Sequence, residues 1–139
     1  MMKKIVFLCV VLGIVLLNGC SIDSAEPNFF FVPLRITSVE MPESFSYRET
    51  HTISVTYERP NSCVTYEGFD INTDGGSIQY ITCIGAEFNG EICTQAVYYG
   101  QANFEFQALN LETYTLKFWG GEDAQGNPIY LDYNVSVNN

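Results

Sequence analysis

Apolar and polar residues alternate with period two along most of the chain beyond Pro33, and Gly, Asn, Asp and Pro interrupt the alternation at short intervals. The cleanest segment is Thr52-Ile53-Ser54-Val55-Thr56-Tyr57-Glu58, apolar at odd positions and polar at even ones. In an extended strand that arrangement turns one face to a core and the other to water. Residues 129–137 repeat it. Phe104, Phe106 and Ala108 alternate with Asn103, Glu105 and Gln107, and Tyr114, Leu116 and Phe118 alternate with Thr115 and Lys117. Weaker strands are predicted over 34–40, 63–69, 77–84 and 92–99. No stretch of useful length has apolar residues at i, i+3, i+4 and i+7, so almost no helix is expected.

Seven to eight strands at this spacing predict an all-β domain, an immunoglobulin-like β-sandwich of antiparallel strands. A small closed β-barrel is the alternative, because alternation does not say whether a sheet closes on itself. Asp74-Gly75-Gly76, Asn89-Gly90 and Gly126-Asn127-Pro128 supply the residues that tight hairpins need. For the last hairpin the pattern fixes a register: Lys117 opposite Asp132, Phe118 opposite Leu131, Leu116 opposite Tyr133 and Trp119 opposite Tyr130. Core parity and charge pairing select it together.

The start of the chain is different in kind. Lys3 and Lys4 precede an apolar run over residues 5–17, too short for the ~20 residues that span a bilayer as a helix and of the length of a secretory h-region. Leu17-Asn18-Gly19-Cys20 resembles the lipobox of bacterial lipoproteins. The resemblance implies a signal peptide over 1–19, thioether lipidation of Cys20, cleavage before it and acylation of its new amine; the alternative is an ordinary signal followed by an unrelated cysteine. Residues 20–28 read as a polar tether and 29–139 as a single domain. Asp23-Ser24-Ala25 resembles an O-glycosylation signal of exported Bacteroidota proteins, with a plain solvated linker as the simpler reading. Residues 29–31, three phenylalanines framed by Pro27 and Pro33, read as an edge strand packed against the domain rather than a patch that touches membrane.

Without the signal, only Arg35, Arg48, Arg59 and Lys117 stand against the 16 acidic residues, a balance of −12. This excludes nucleic acid as a partner, since no basic footprint remains to displace counterions. Ten Phe, nine Tyr and one Trp argue equally against a disordered acidic tail.

Three thiols remain beyond Cys20: Cys63, Cys83 and Cys93. Outside the inner membrane a disulfide is permitted, and three pairings are possible. Cys63 and Cys93 stand at predicted strand ends, where a staple fits, whereas Cys83 lies mid-strand like a small apolar residue; Cys63–Cys93 is the expected pair. Tyr114, five residues after Leu109, resembles the corner tyrosine of immunoglobulin-like domains, whose hydroxyl bonds an upstream backbone carbonyl.

Several segments together resemble the small uncharacterised lipoproteins of Bacteroidota. These are Pro27-Asn28-Phe29, Pro33 to Pro42, Cys63-Val64-Thr65-Tyr66-Glu67-Gly68-Phe69, Tyr114 to Trp119, and Gly126-Asn127-Pro128-Ile129-Tyr130. The likeness covers most of the chain after Cys20. It implies export, an immunoglobulin-like fold and cysteines at positions like 63 and 93, and it carries no activity.

Candidate chemistry is sparse. Asp70-Ile71-Asn72-Thr73-Asp74-Gly75 fits the first half of a calcium loop, but Ile81 stands where the closing Glu belongs; an acidic β-turn explains Asp70, Asn72 and Asp74 as well. Trp119 has outward parity, with Glu122, Asp123, Asn127 and Tyr130 near it in sequence or register. That set offers a platform for a sugar ring or a protein partner, with an indole packed under its own loop as the simpler reading. No nucleophile elbow, phosphate loop or histidine metal spacing is present, and His51 is the sole histidine. The expectation is therefore a non-enzymatic protein without cofactors, held in the bacterial envelope by the Cys20 lipid, on the periplasmic or surface side of the outer membrane. Its role is that of a structural or interaction module with a protein or glycan partner, or alternatively a carbohydrate-binding accessory lipoprotein.

Overall fold

The computed structural model describes residues 28–90 and 92–139. The signal, Cys20 and the tether up to Pro27 lie outside the described residues, so the lipidation expectation is not addressed by the fold. Among the described residues nine strands form: β1 (Phe29–Leu34), β2 (Ile36–Glu40), β3 (Ser44–Ser46), β4 (Thr50–Arg59), β5 (Val64–Asp74), β6 (Ile78–Phe88), β7 (Tyr98–Gln107), β8 (Tyr114–Glu122) and β9 (Pro128–Asn138). They make two sheets. One has the order β2-β4-β7; the other is β1-β6-β8-β9-β3, with β5 also on β6. The sheets do not close on one another, so the fold is a β-sandwich and not a barrel.

Strand β6 organises the larger sheet. Strand β5 borders it over nearly its whole length, from Val64–Glu87 to Asp74–Ile78. Its other edge is divided: β8 takes Ile78 to Ile81, in parallel, and β1 takes Cys83 to Phe88. Strand β9 extends the sheet from β8, and β3 adds to β9 in parallel. The two parallel pairings depart from the all-antiparallel expectation. Each needs a crossover, and for β6–β8 that crossover is β7, which lies in the opposite sheet. The first part of the chain also changes sheet: β1 pairs with β6, and after Arg35 the chain continues as β2 on β4.

The register expected for β8 and β9 is observed at all four pairs, Leu116–Tyr133, Lys117–Asp132, Phe118–Leu131 and Trp119–Tyr130. On the outer face Lys117 Nζ donates to Asp132 Oδ2 at 2.6 Å, and that hydrogen bond raises the ammonium pKa. On the inner face Leu116 and Phe118 are fully buried. Burial of about 25 cal/mol per Å2 of apolar surface is the main driving force here.

Aromatic rings bridge the layers. Tyr57 stacks on Tyr66 at 5.2 Å, Phe69 meets Phe104 at 4.9 Å, and Phe106 meets Tyr114 edge-on at 5.1 Å. Such pairs add about 0.5–1.5 kcal/mol each beyond area burial. Tyr57 crosses directly over Gly100, where an added Cβ would run into the far end of the ring, so a glycine lets the ring lie against β7.

Several expectations change. The strand predicted over 92–99 begins only at Tyr98 and runs on through the segment at 103–107 as a single β7. The Asn89-Gly90 turn therefore leads into an irregular stretch and not into a hairpin. Strand β3 was not anticipated, because three residues are too few to show alternation, yet Phe45 within it is fully buried. Tyr114 does anchor a corner, with the opposite polarity: its hydroxyl accepts the Leu109 N–H at 3.1 Å instead of donating to a carbonyl. His51 is structural, its Nε2 accepting the Ser46 N–H at 2.9 Å beside the Phe45 ring.

The Cys63–Cys93 disulfide is present, and Cys83 is a free, fully buried thiol whose pKa burial pushes up to about 12. Strand β1 is an edge strand as expected, but its packing is only partial, since Phe30 is 48% and Phe31 65% exposed.

Candidate functional site

Trp119 faces outward and stands half-buried at the end of β8, just before the strand breaks its register. Between Trp119–Tyr130 and Glu122–Pro128, Gly120 and Gly121 on β8 oppose Ile129 alone on β9. This two-against-one arrangement is a β-bulge, and Gly121 adopts φ +107°, a conformation open to glycine and strained for other residues. The bulge swings the Gly120 carbonyl toward the β1–β2 junction, where it accepts a hydrogen bond from Arg35 Nε at 3.1 Å.

Arg35 sits where the chain passes from one sheet to the other. Its backbone carbonyl accepts the Glu58 N–H at 2.9 Å, and its guanidinium reaches Glu58 Oε2 at 3.5 Å. At 61% side-chain exposure for Arg35 the ion pair contributes little to stability; its effect is to fix where both groups point. Glu58 is opposite Tyr99 in the β4–β7 ladder. A hydrogen bond from the Tyr99 hydroxyl to Glu58 raises the phenol pKa above its ordinary value, and the carboxylate charge adds to the shift.

Around this polar row stand Pro33, Pro60, Val97 and the Trp119 indole. With Arg35 and Glu58 they line a cleft of about 180 Å³ whose wall is largely apolar; Tyr99 lies outside the lining. Val97 belongs to the irregular 92–97 segment, which is held to the 60–63 loop by the disulfide and by two hydrogen bonds. Ser62 N–H donates to Thr94 O at 3.2 Å, and Thr94 N–H donates to Ser62 Oγ at 2.9 Å. Four parts of the chain far apart in sequence thus meet at Trp119.

The neighbours expected for the indole are placed differently. Asp123 and Asn127 close the β8–β9 hairpin upon each other. Asp123 Oδ1 accepts Asn127 N–H at 2.9 Å and Gln125 N–H at 2.8 Å, while Oδ2 accepts Asn127 Nδ2 at 3.0 Å. The Asn127 side-chain bond, with its backbone bond, holds the Asp123 carboxyl below its ordinary range. These groups are occupied by the turn and do not line the cleft. Tyr130 keeps its register opposite Trp119, but its ring packs edge-on against Tyr80 at 5.4 Å. Pro33, Arg35, Glu58, Pro60 and Val97 are what the sequence reading missed. A signal existed only at Arg35, one of four bases in an acidic domain.

The weak calcium candidates Asp70, Asn72 and Asp74 belong to strand β5, where successive same-face residues are about 6.8 Å apart. Asn72 Nδ2 donates to Asp70 Oδ2 at 2.9 Å. Among the described residues no group of three or more His, Cys, Asp or Glu is arranged to hold a metal. A larger, more open hollow of about 360 Å³ lies between residues 39–43 and 133–135, lined by Glu40 and Glu43 with no base.

No protein-family model, curated protein or solved structure matches the chain.

Proposed function

We propose that the protein is a lipid-anchored component of a bacterial envelope that works as a non-enzymatic interaction module, with the Trp119 cleft as its contact surface. The observation that carries this is the composition of the cleft. An indole, two prolines and Val97 give an apolar wall, and the Arg35–Glu58 pair supplies a donor and an acceptor within it. Small ligand sites have this character, a mostly apolar lining with a few fixed polar groups. The anchor rests on the signal-like run over 5–17 and on Leu17-Asn18-Gly19-Cys20, and the likeness to Bacteroidota lipoproteins supports an outer-membrane location.

A carbohydrate is the second reading, favoured by the half-buried indole beside carboxylate and guanidinium groups. A sugar ring presents an apolar face to stack on the indole and hydroxyls to bond to Arg35 and Glu58. Two measurements test the proposal. Intact mass of the protein recovered from membranes should show acyl chains, lost in Cys20→Ala. A glycan array with Trp119→Ala as control separates the readings: sugar binding lost in the variant supports a carbohydrate ligand. Absence of binding leaves a protein partner, to be sought by crosslinking from a photoreactive group at Val97. Crosslinks that do not depend on Trp119 would refute the cleft as the contact surface.

A further inference from the structure

The end of the sandwich where the described chain begins is unusually rich in exposed apolar side chains. Strand β1 starts there, Phe29 opposite Phe88 at the end of β6, and Asn89 N–H donates to Asn28 O at 2.9 Å. The end of β4 and the start of β7 meet at the same place, with Arg59 opposite Tyr98. The 60–63 loop and the 92–97 segment are stapled together beside them, and Phe88 N–H donates to Cys63 O. Of the ten large apolar residues exposed among the described ones, Phe30, Phe31, Ile92, Val97, Tyr98 and Tyr99 belong to this end, and Ile92 has no cover at all. The opposite end, after β7 has run its length, exposes Leu109 and Leu111.

We propose that this end of the domain lies against the lipid surface that its anchor occupies. The inference rests on the lipid-anchor reading and adds an orientation to it. The chain outside the described residues supplies the argument. Cys20 is eight residues from Asn28, so even fully extended the tether reaches only about 27 Å. The domain is thereby confined near the surface with its β1 end leading. Phe, Ile and Val side chains at that end lose water on contact, and the tyrosines and Arg59 suit the headgroup layer. Arg59 lies 5.4 Å from the Tyr98 ring centre. The acidic balance of the chain disfavours anionic lipid, so the surface expected is zwitterionic. Val97 is shared with the Trp119 cleft, which would then open on the flank next to the headgroups.

The test uses the full-length lipidated protein in phosphatidylcholine vesicles that carry brominated acyl chains. In a Trp119→Phe background, single indoles are introduced as Phe31→Trp, Ile92→Trp and Leu109→Trp, all at exposed positions where folding tolerates them. The indoles at 31 and 92 should lose about half of their fluorescence or more, as side chains at the headgroup–acyl boundary do, and the one at 109 should keep its own. Acylated protein with no quenching at 31 and 92, or with equal quenching at all three positions, overturns the orientation alone. Crosslinks between copies through these positions, without quenching, assign the surface to a second copy and also overturn it. Protein without acyl chains overturns the anchor reading, and the orientation falls with it.

Discussion

Reduction of the Cys63–Cys93 bridge is the most informative perturbation, because it tests stability and the cleft wall together. The cysteines are 30 residues apart in sequence. For a loop of that size the chain-entropy relation gives about 3.6 kcal/mol of stabilisation through restriction of the unfolded chain. An entropy of unfolding of about 2.1 cal/mol/K per residue over 28–139 converts this into a fall in Tm of roughly 15 °C. The folded state should change little. Reduction keeps both sulfur atoms in place, and the two Ser62–Thr94 hydrogen bonds still hold the 92–97 segment against the 60–63 loop. The assay is urea unfolding of the oxidised protein and of the same protein in excess reductant, followed by Trp119 fluorescence, with Cys63→Ser/Cys93→Ser as a check. The buried Cys83 thiol serves as an internal silent group. The expected result is a lower midpoint. Unfolding free energies agreeing to within about 1 kcal/mol would refute the reasoning, as it would mean that the 64–92 stretch is already restricted in the unfolded chain or frays in the folded one.

Four further outcomes are expected. Tyr114→Phe removes the acceptor of the Leu109 N–H and should cost about 0.5–1.5 kcal/mol in thermal or urea unfolding, without altering any binding at the Trp119 cleft. Gly100→Ala drives a methyl into the Tyr57 ring and should destabilise by about 1–3 kcal/mol, a loss that Tyr57→Ala in the same chain should not compound additively. Cys83, neutral in the folded protein up to about pH 12 against an ordinary value of 9.0, favours the folded state fully below the unfolded pKa. That advantage is lost as pH rises toward 12, so Cys83→Ala should remove one proton's worth of the alkaline decline in stability, measured by urea midpoints from pH 8 to 12 in steps. Asp123, held low by Asn127, contributes stability above the ordinary carboxylate range that is lost as pH falls through its folded value; Asn127→Ala should flatten that acid limb in the same titration.

The sequence made the strands legible wherever a full run of alternation lay between turn residues. Strands β4, β8 and β9 read cleanly because each buries alternate side chains against one core, and the β8–β9 register followed from parity and a single charge pair. Pairing across the sheets was not legible. Nothing local in Phe29-Phe30-Phe31-Val32-Pro33-Leu34 says that it borders β6 while residues 36–40, one position later, border β4. Nor does alternation state direction, so the parallel β6–β8 contact was invisible. The run over 92–99 misled because Ile92, Val97 and Tyr99 have the composition of a strand, yet a disulfide and the Ser62 contacts hold residues 92–97 away from any partner edge. The missed neighbours of Trp119 have the same origin. Its outward orientation is a local property and was read correctly. Its surroundings are set by a change of sheet at Arg35, a Gly120-Gly121 bulge and a cross-linked loop, none of which leaves a periodic mark.

The cleft therefore depends on connections more than on any single strand, and this makes a separable test possible. Arg35 makes three contacts to two of its parts: to the Gly120 carbonyl, to the Glu58 carboxylate and, through its own carbonyl, to the Glu58 N–H. The backbone bond survives any side-chain change, so Arg35→Met keeps the β1–β2 crossing and the apolar stem while removing the two guanidinium contacts. An exposed ion pair contributes about 0–1 kcal/mol, so the fold should tolerate the change. With the bulge untethered and Glu58 released, the geometry around Trp119 should relax: its emission should shift and its acrylamide quenching rise, while the urea midpoint stays within about 1 kcal/mol of the parent. An unchanged indole environment would show that the Gly120-Gly121 bulge alone holds Trp119, and that Arg35 is a bystander on its rim.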